Sequence, residues 1–188
     1  MPRDRSLDDF FQWLDKPAER PVHPAALPDD ELLEQCRLEH KSSGGPGGQH
    51  RNKNHNAVYL THTPTGLQAH ASERRRTEDN KRTALRRLRL ELATHHRVAV
   101  PAGEIRSQLW RERTRGGRIV LSPKHRDYPT MLAEGLDVLD ASGYDPRTAA
   151  TRLGVSPSQL IRMIADHPPA LAMVNDQRKQ RGEHELHA

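Results

Sequence analysis

The residues able to do chemistry are concentrated in one stretch, Lys41 to Asn56, which reads K-S-S-G-G-P-G-G-Q-H-R-N-K-N-H-N. Four glycines and a proline fill the five positions Gly44 to Gly48, which excludes a helix or a strand, and no apolar side chain anchors the segment. An exposed loop is predicted. Composition alone leaves its use open. A surface linker is one reading. A phosphate cradle fits poorly, because no Lys-Ser/Thr pair follows the glycines and no G-x-G-x-x-G spacing opens a helix. His50 and His55 invite metal or acid–base chemistry, yet neither a carboxylate nor a cysteine stands near them. Contact with RNA or plain solvation is expected there, with no metal and no cofactor. No convincing Ser-His-Asp or Cys-His set accompanies the loop.

The charge around this loop is one-sided. Of the chain's 188 residues, 37–126 hold 20 Lys/Arg against 7 Asp/Glu, a net +13. The flanking parts are acidic, −5 over residues 1–36 and −3 over 127–188. A solvated, salt-bridged surface would interleave the two signs, so a polyanion, and nucleic acid above all, is the expected partner of the middle. Arg51, Lys53, Arg74, Arg75, Arg76, Lys81, Arg82, Arg86 and Arg87 are the candidate phosphate contacts. Few aromatics stand among them, so recognition of shape and backbone is expected rather than base stacking. A single cysteine, Cys36, excludes a disulfide scaffold and a Cys-rich metal site. No window approaches the length of apolar chain that a membrane span needs, and Asp4, Asp8 and Asp9 load the first turns. A soluble cytoplasmic monomer without signal peptide is expected.

The elements that must position the loop are local in their signals. Leu7, Phe10, Phe11 and Leu14 predict a short amphipathic helix, followed by an arm broken by Pro17, Pro21, Pro24 and Pro28. A short strand is predicted between Cys36 and His40, and a stronger one over Ala57 to His62. Thr63-Pro64-Thr65-Gly66 is a turn, and Leu67 to Ala71 returns as the second arm of a hairpin. A long helix is predicted from about Arg74 to His95, striped by Ala84, Leu85, Leu88 and Leu92. Pro101 breaks it, and a further helix is expected from about Glu104 to Arg113. Gly116-Gly117 then turns into the apolar run Ile119 to Leu121.

Beyond Ser122-Pro123 every signal is helical. Gly143 stops one helix, Asp145-Pro146 starts the next, Gly154 ends it and Ser156-Pro157 starts another, giving helix-turn-helix spacing over Ala149 to Ile164. The predicted class is α+β: a small sheet with a long packed helix and an exposed Gly-rich loop, then an all-α module. Three parts are expected, 1–28, 29–122 and 123–188. The last is too acidic for DNA, so docking to a protein or the ribosome, or packing on the preceding domain, is expected of it.

Gly47-Gly48-Gln49 within S-S-G-G-P-G-G-Q-H-R-N-K, followed by A-V-Y-L-T-H-T-P-T-G-L and an Arg-rich helix, resembles the peptide-hydrolysing domain of class I peptide chain release factors. The likeness covers about residues 30 to 95. Two positions depart from the family pattern: Arg51 stands where Val or Ile is usual, and Asn56 where Ser or Thr is usual. The resemblance implies entry into the peptidyl transferase centre of the ribosome and hydrolysis of the ester between nascent peptide and tRNA. Gly47 and Gly48 would adopt backbone angles closed to residues with a Cβ, aiming the main-chain N–H of Gln49 at the charge that develops in the reaction. The Gln49 side chain would shape the pocket so that only water reaches the carbonyl.

Members of the family that read stop codons carry additional domains, so codon reading is not expected of a sequence of this length. The chain therefore resembles the short, codon-independent members that rescue stalled ribosomes. The basic tail of such members is weak here, because Arg178, Lys179 and Arg181 are offset by Asp176, Glu183 and Glu185. A non-catalytic RNA-binding protein and a hydrolase of free peptidyl-tRNA remain the alternatives.

Overall fold

The computed structural model describes residues 20–41 and 56–187. The predicted N-terminal helix over Leu7 to Leu14 lies outside them. The arm begins with a 3-10 turn, Pro24–Ala26, capped by His23, whose Nδ1 accepts from the Ala25 N–H at 3.0 Å. The other ring nitrogen, Nε2, pairs with the His96 carbonyl at 3.2 Å. One acceptor and one donor define a neutral imidazole, and burial pushes its pKa down to about 4. Helix α1 (Asp29–Glu34) follows. Asp29, Asp30 and Glu31 sit on the positive end of its dipole, and Leu32 is buried.

Strands β1 (Cys36–Lys41), β2 (Ala57–His62) and β3 (Gln68–Ala71) form an antiparallel sheet with β2 in the middle. The period-2 alternation is visible in the burial: Val58, Leu60, Ala69 and Ala71 face the core, whereas Gln68 and His70 face solvent. His62 faces inward too, held between Gln35 Oε1 and Thr65 Oγ1. Gly66, at φ +72°, closes the hairpin as the turn chemistry requires.

Helix α2 (Thr77–His95) lies across β2 and β3, burying Ala84, Leu85, Leu88 and Leu92. It starts three residues later than predicted. Arg76 is extended, and both backbone polar groups of Arg74 are taken by the Asn80 side chain, so the chain enters the helix only at Thr77. Helix α3 is likewise shorter, Gln108–Arg113, because Ser107 is its cap while its own N–H and hydroxyl bind Glu134. Gly116 and Gly117, both at positive φ, join the two-residue strands β4 (Thr114–Arg115) and β5 (Arg118–Ile119) by the mirror-image turn that suits a tight hairpin.

Helix α4 (Tyr128–Asp140) is buried nearly all round and packs on α2. Gly135 lets α6 approach: a Cβ there would stand 2.7 Å from the end of Met163. Helices α5 (Pro146–Leu153) and α6 (Pro157–Ala165) form the predicted helix-turn-helix, with Asp145 and Ser156 as caps and Gly154 in the left-handed conformation between them. Helix α7 (Pro168–Gln180) follows, and the segment after it folds back so that Leu186 pairs with Asn175. Trp110 and Tyr128 pin the helix-turn-helix, donating to the carbonyls of Leu153 and Met163 at 2.9 and 2.8 Å. One apolar cluster runs from Ala25 to Leu186 through both halves.

Two carboxylates of α4 lie inside it. Glu134 receives Ser107, and Asp137 receives Arg20 at 2.9 Å and the Val98 N–H at 3.2 Å, with Arg97 at 3.6 Å. Burial outweighs these partners and lifts the Asp137 pKa above the usual carboxylate range. Together they tie residue 20 and the segment 97–107 to the central helix.

Candidate nucleic-acid interface

The sheet sets the root of the Gly-rich segment. Lys41 pairs with Ala57 and His40 with Val58, so the chain leaves the sheet and returns to it on neighbouring strands at one end. Gly47, Gly48 and Gln49, and with them His50, Arg51, Lys53 and His55, lie outside the described residues.

Asn80, fully buried, fastens the return. Its Nδ2 donates to the carbonyls of Asn56 at 2.7 Å and Arg74 at 2.9 Å, and its Oδ1 accepts from the Arg74 N–H at 2.9 Å. Asn56 adds a side-chain bond of its own, Nδ2 to the Arg74 carbonyl at 3.1 Å. At this position, where the family uses Ser or Thr, the longer side chain leaves Oδ1 buried without a partner among the described residues. Sequence reasoning missed Asn80. Its one visible signal is a polar residue in the apolar stripe of a helix, four positions before Ala84.

This knot holds Arg74, Arg75 and Arg76, all exposed, beside the loop root. Lys81 and Arg82 follow on the first turns of α2, half-buried and exposed respectively. The last two candidates also serve the fold. Arg87 donates to the His70 carbonyl at 2.7 Å and to Glu73 at 2.6 Å, and that guanidinium holds the Glu73 carboxyl below its ordinary range. Arg86 donates to the carbonyls of Pro123 and His125, at 2.5 and 3.2 Å. The difference matters: Arg87 is neutralised locally, whereas the partners of Arg86 carry no charge.

Elsewhere the chemistry is quiet. Among the described residues no group of three His, Cys, Asp or Glu is placed to hold a metal ion, and no helix is long and apolar enough to cross a membrane. Burial pushes the half-buried Cys36 thiol up, away from reactivity.

A three-stranded sheet backed by an arginine-rich helix, with a Gly-rich connection rooted at one end, defines an α+β domain with an open basic surface. The sequence profile of the family described as the RF-1 domain matches residues 31–130, more than half of the chain, and the chain belongs to that family. The resemblance to class I release factors is thereby borne out. Peptide chain release factor 1 of Symbiobacterium thermophilum is 37% identical over 81 residues, 40% of this chain and 23% of that protein. Peptide chain release factor 1 of Bifidobacterium adolescentis is 33% identical over 104 residues, 52% of this chain and 29% of the relative. Peptide chain release factor 2 of Petrotoga mobilis is 43% identical over 65 residues, 35% and 16% of the two chains. The chain thus spans less than a third of the length of these relatives.

Proposed function

We propose that this chain hydrolyses the ester between nascent peptide and tRNA on the ribosome, without reading a codon, and so frees stalled ribosomes. The observation that carries this reading is Gly47-Gly48-Gln49 in a chain of the release-factor family, set between strand ends that pair at Lys41 and Ala57. The reaction is acyl transfer to water: the water oxygen bonds to the carbonyl carbon, the bond to the tRNA oxygen breaks, and a proton passes to that leaving oxygen. Gln49 is neutral and acts through its main-chain N–H, aimed by the two glycines. A donor aimed at developing charge is worth about 10² to 10³ in rate, roughly 3 to 4 kcal/mol.

Arg51, Lys53, Arg74, Arg75, Arg76, Lys81, Arg82, Arg86 and Arg87 supply the contacts to ribosomal RNA. Neutralising six to ten phosphates would weaken binding by about 10³ to 10⁵ between low and moderate salt. We keep the division into an arm (1–28), a hydrolytic domain (29–122) and a helical module (123–188), acting as a monomer in the cytoplasm. Release without a codon is supported by the −3 charge of residues 127–188, a poor partner for mRNA in a decoding centre.

The test is incubation with stalled ribosomes carrying labelled peptidyl-tRNA, with and without mRNA beyond the P site, and with free peptidyl-tRNA. Release on ribosomes whatever the codon is the expected result. Release only at a stop codon, only from free peptidyl-tRNA, or not at all contradicts it.

A further inference from the structure

Between the arm, the middle of α2 and the start of α4 lies an open cleft of about 600 Å³. Leu27, Leu85 and Pro129 give it an apolar floor, and its walls carry Arg82, Arg86 and Arg89 from α2 and Arg126 from the turn before α4. Positions 82, 86 and 89 follow the spacing that lines residues along one helix face. Two carboxylates also border the cleft, and both are engaged. Asp29 holds Arg89 at 2.6 Å. Asp127 holds Arg113, outside the cleft, at 2.6 Å and meets Arg126 only at 3.4 Å. Arg82 has no partner among the described residues, and the Arg126 side chain is 92% exposed. Arg86 uses two of its N–H donors on neutral carbonyls and keeps the others.

Arg82, Arg86 and Arg126 therefore bring positive charge to one concave site with little to neutralise it. Guanidinium forks match phosphate oxygens, and an apolar floor accepts the flat face of a base or the carbon side of a ribose. We propose that the cleft binds one nucleotide unit of an RNA strand, its phosphate on Arg82, Arg86 and Arg126 and its base or ribose against the half-buried Leu27. This rests on the reading that the basic middle of the chain meets RNA, and on no hydrolytic step. Arg126 joins this group only through the fold, since the start of α4 closes the cleft from far along the sequence.

The test uses the whole chain, a fluorescent RNA hexanucleotide, and AMP and inorganic phosphate as competitors, with arginine Nε resonances as the local reporter. RNA should shift the Nε signals of Arg82 and Arg126. The Arg82→Glu/Arg126→Glu double variant should bind about 10-fold more weakly or worse, and its salt slope should flatten by about 0.7, the share of one phosphate contact on a single strand. Both side chains are exposed at the cleft wall, so circular dichroism should show the helix content unchanged. Arg147→Glu, one such charge reversal at an exposed position of α5, should keep the slope. Unshifted signals, an equal loss in Arg147→Glu, or displacement of the RNA by an equal concentration of AMP or phosphate would overturn the proposal. Peptide release is not read, so failure of the hydrolytic reading leaves this result standing.

Discussion

The two halves of the molecule handle charge in opposite ways. In the helical half the buried charges are answered inside the fold: Arg178 donates to the carbonyls of Tyr144 and His184 and pairs with Glu183 at 2.6 Å, and Asp137 is met by Arg20 and Arg97. In the sheet and α2 half, Arg74, Arg75, Arg76 and Arg82 face solvent, and Arg86 has only carbonyls. Charges answered internally fix an architecture. Charges left open are available to a partner. On the proposed reading, scaffold falls to the one half and recognition to the other, and each can be perturbed separately.

The largest effect on stability is expected from Asp137→Ala. It removes the carboxylate that Arg20 and Arg97 share, leaving Arg20 with Glu134 at 3.3 Å and Arg97 with main-chain carbonyls, and should cost about 3 kcal/mol, the lower end of the range for breaking a buried pair. Urea unfolding measures it. A loss under about 1 kcal/mol would mean that Asp137 is not what ties the arm down.

Acid comes next. His23 is held at about 4 in the fold against 6.5 when free, so the unfolded chain takes up this proton first. The stabilisation is fully present above pH 6.5 and is lost as pH falls toward 4, by up to about 3 kcal/mol. His62 and His167, both lowered by burial, act in the same sense. His23→Gln should flatten the slope of stability against pH in that window. An unchanged slope would remove His23 from the account.

Asn80→Ala deletes three hydrogen bonds at the loop root and leaves the Asn56 carbonyl without that donor. A loss of about 1 to 3 kcal/mol is expected. A fall in single-turnover peptide release, with ribosome affinity held, would show that the knot positions the loop as well as the helix. Stability lost with release unaltered would confine Asn80 to the scaffold.

The smallest effect sharpens the contrast between the halves. Arg75→Glu should weaken ribosome binding and flatten its salt dependence by about one phosphate contact, whereas Arg152→Glu on α5 should leave both unchanged. Equal effects would erase the division of labour.

What the sequence reveals is what local chemistry decides. The alternation in Ala57 to His62, the Pro64–Gly66 turn, and the caps Asp145, Gly154 and Ser156 act within a few residues, and all stand where their residue types place them. The starts of α2 and α3 were set instead by side chains reaching across the fold, Asn80 to Arg74 and Asn56, and Glu134 to Ser107. For the same reason the double duty of Arg86 and Arg87 was invisible: their partners lie 39 and 17 residues away. The candidate site was legible as composition, a Gly-rich segment in a basic field. The knot that roots it and the cleft beside it exist only once the helices are packed.

The central claim, that the main-chain N–H of Gln49 does the electrostatic work of release, is tested most directly by single-turnover peptide release on stalled ribosomes. Gln49→Ala keeps the N–H and Gln49→Pro removes it. The account predicts that the proline variant is slower than the alanine variant by about 10² or more. Equal rates for the two would contradict it.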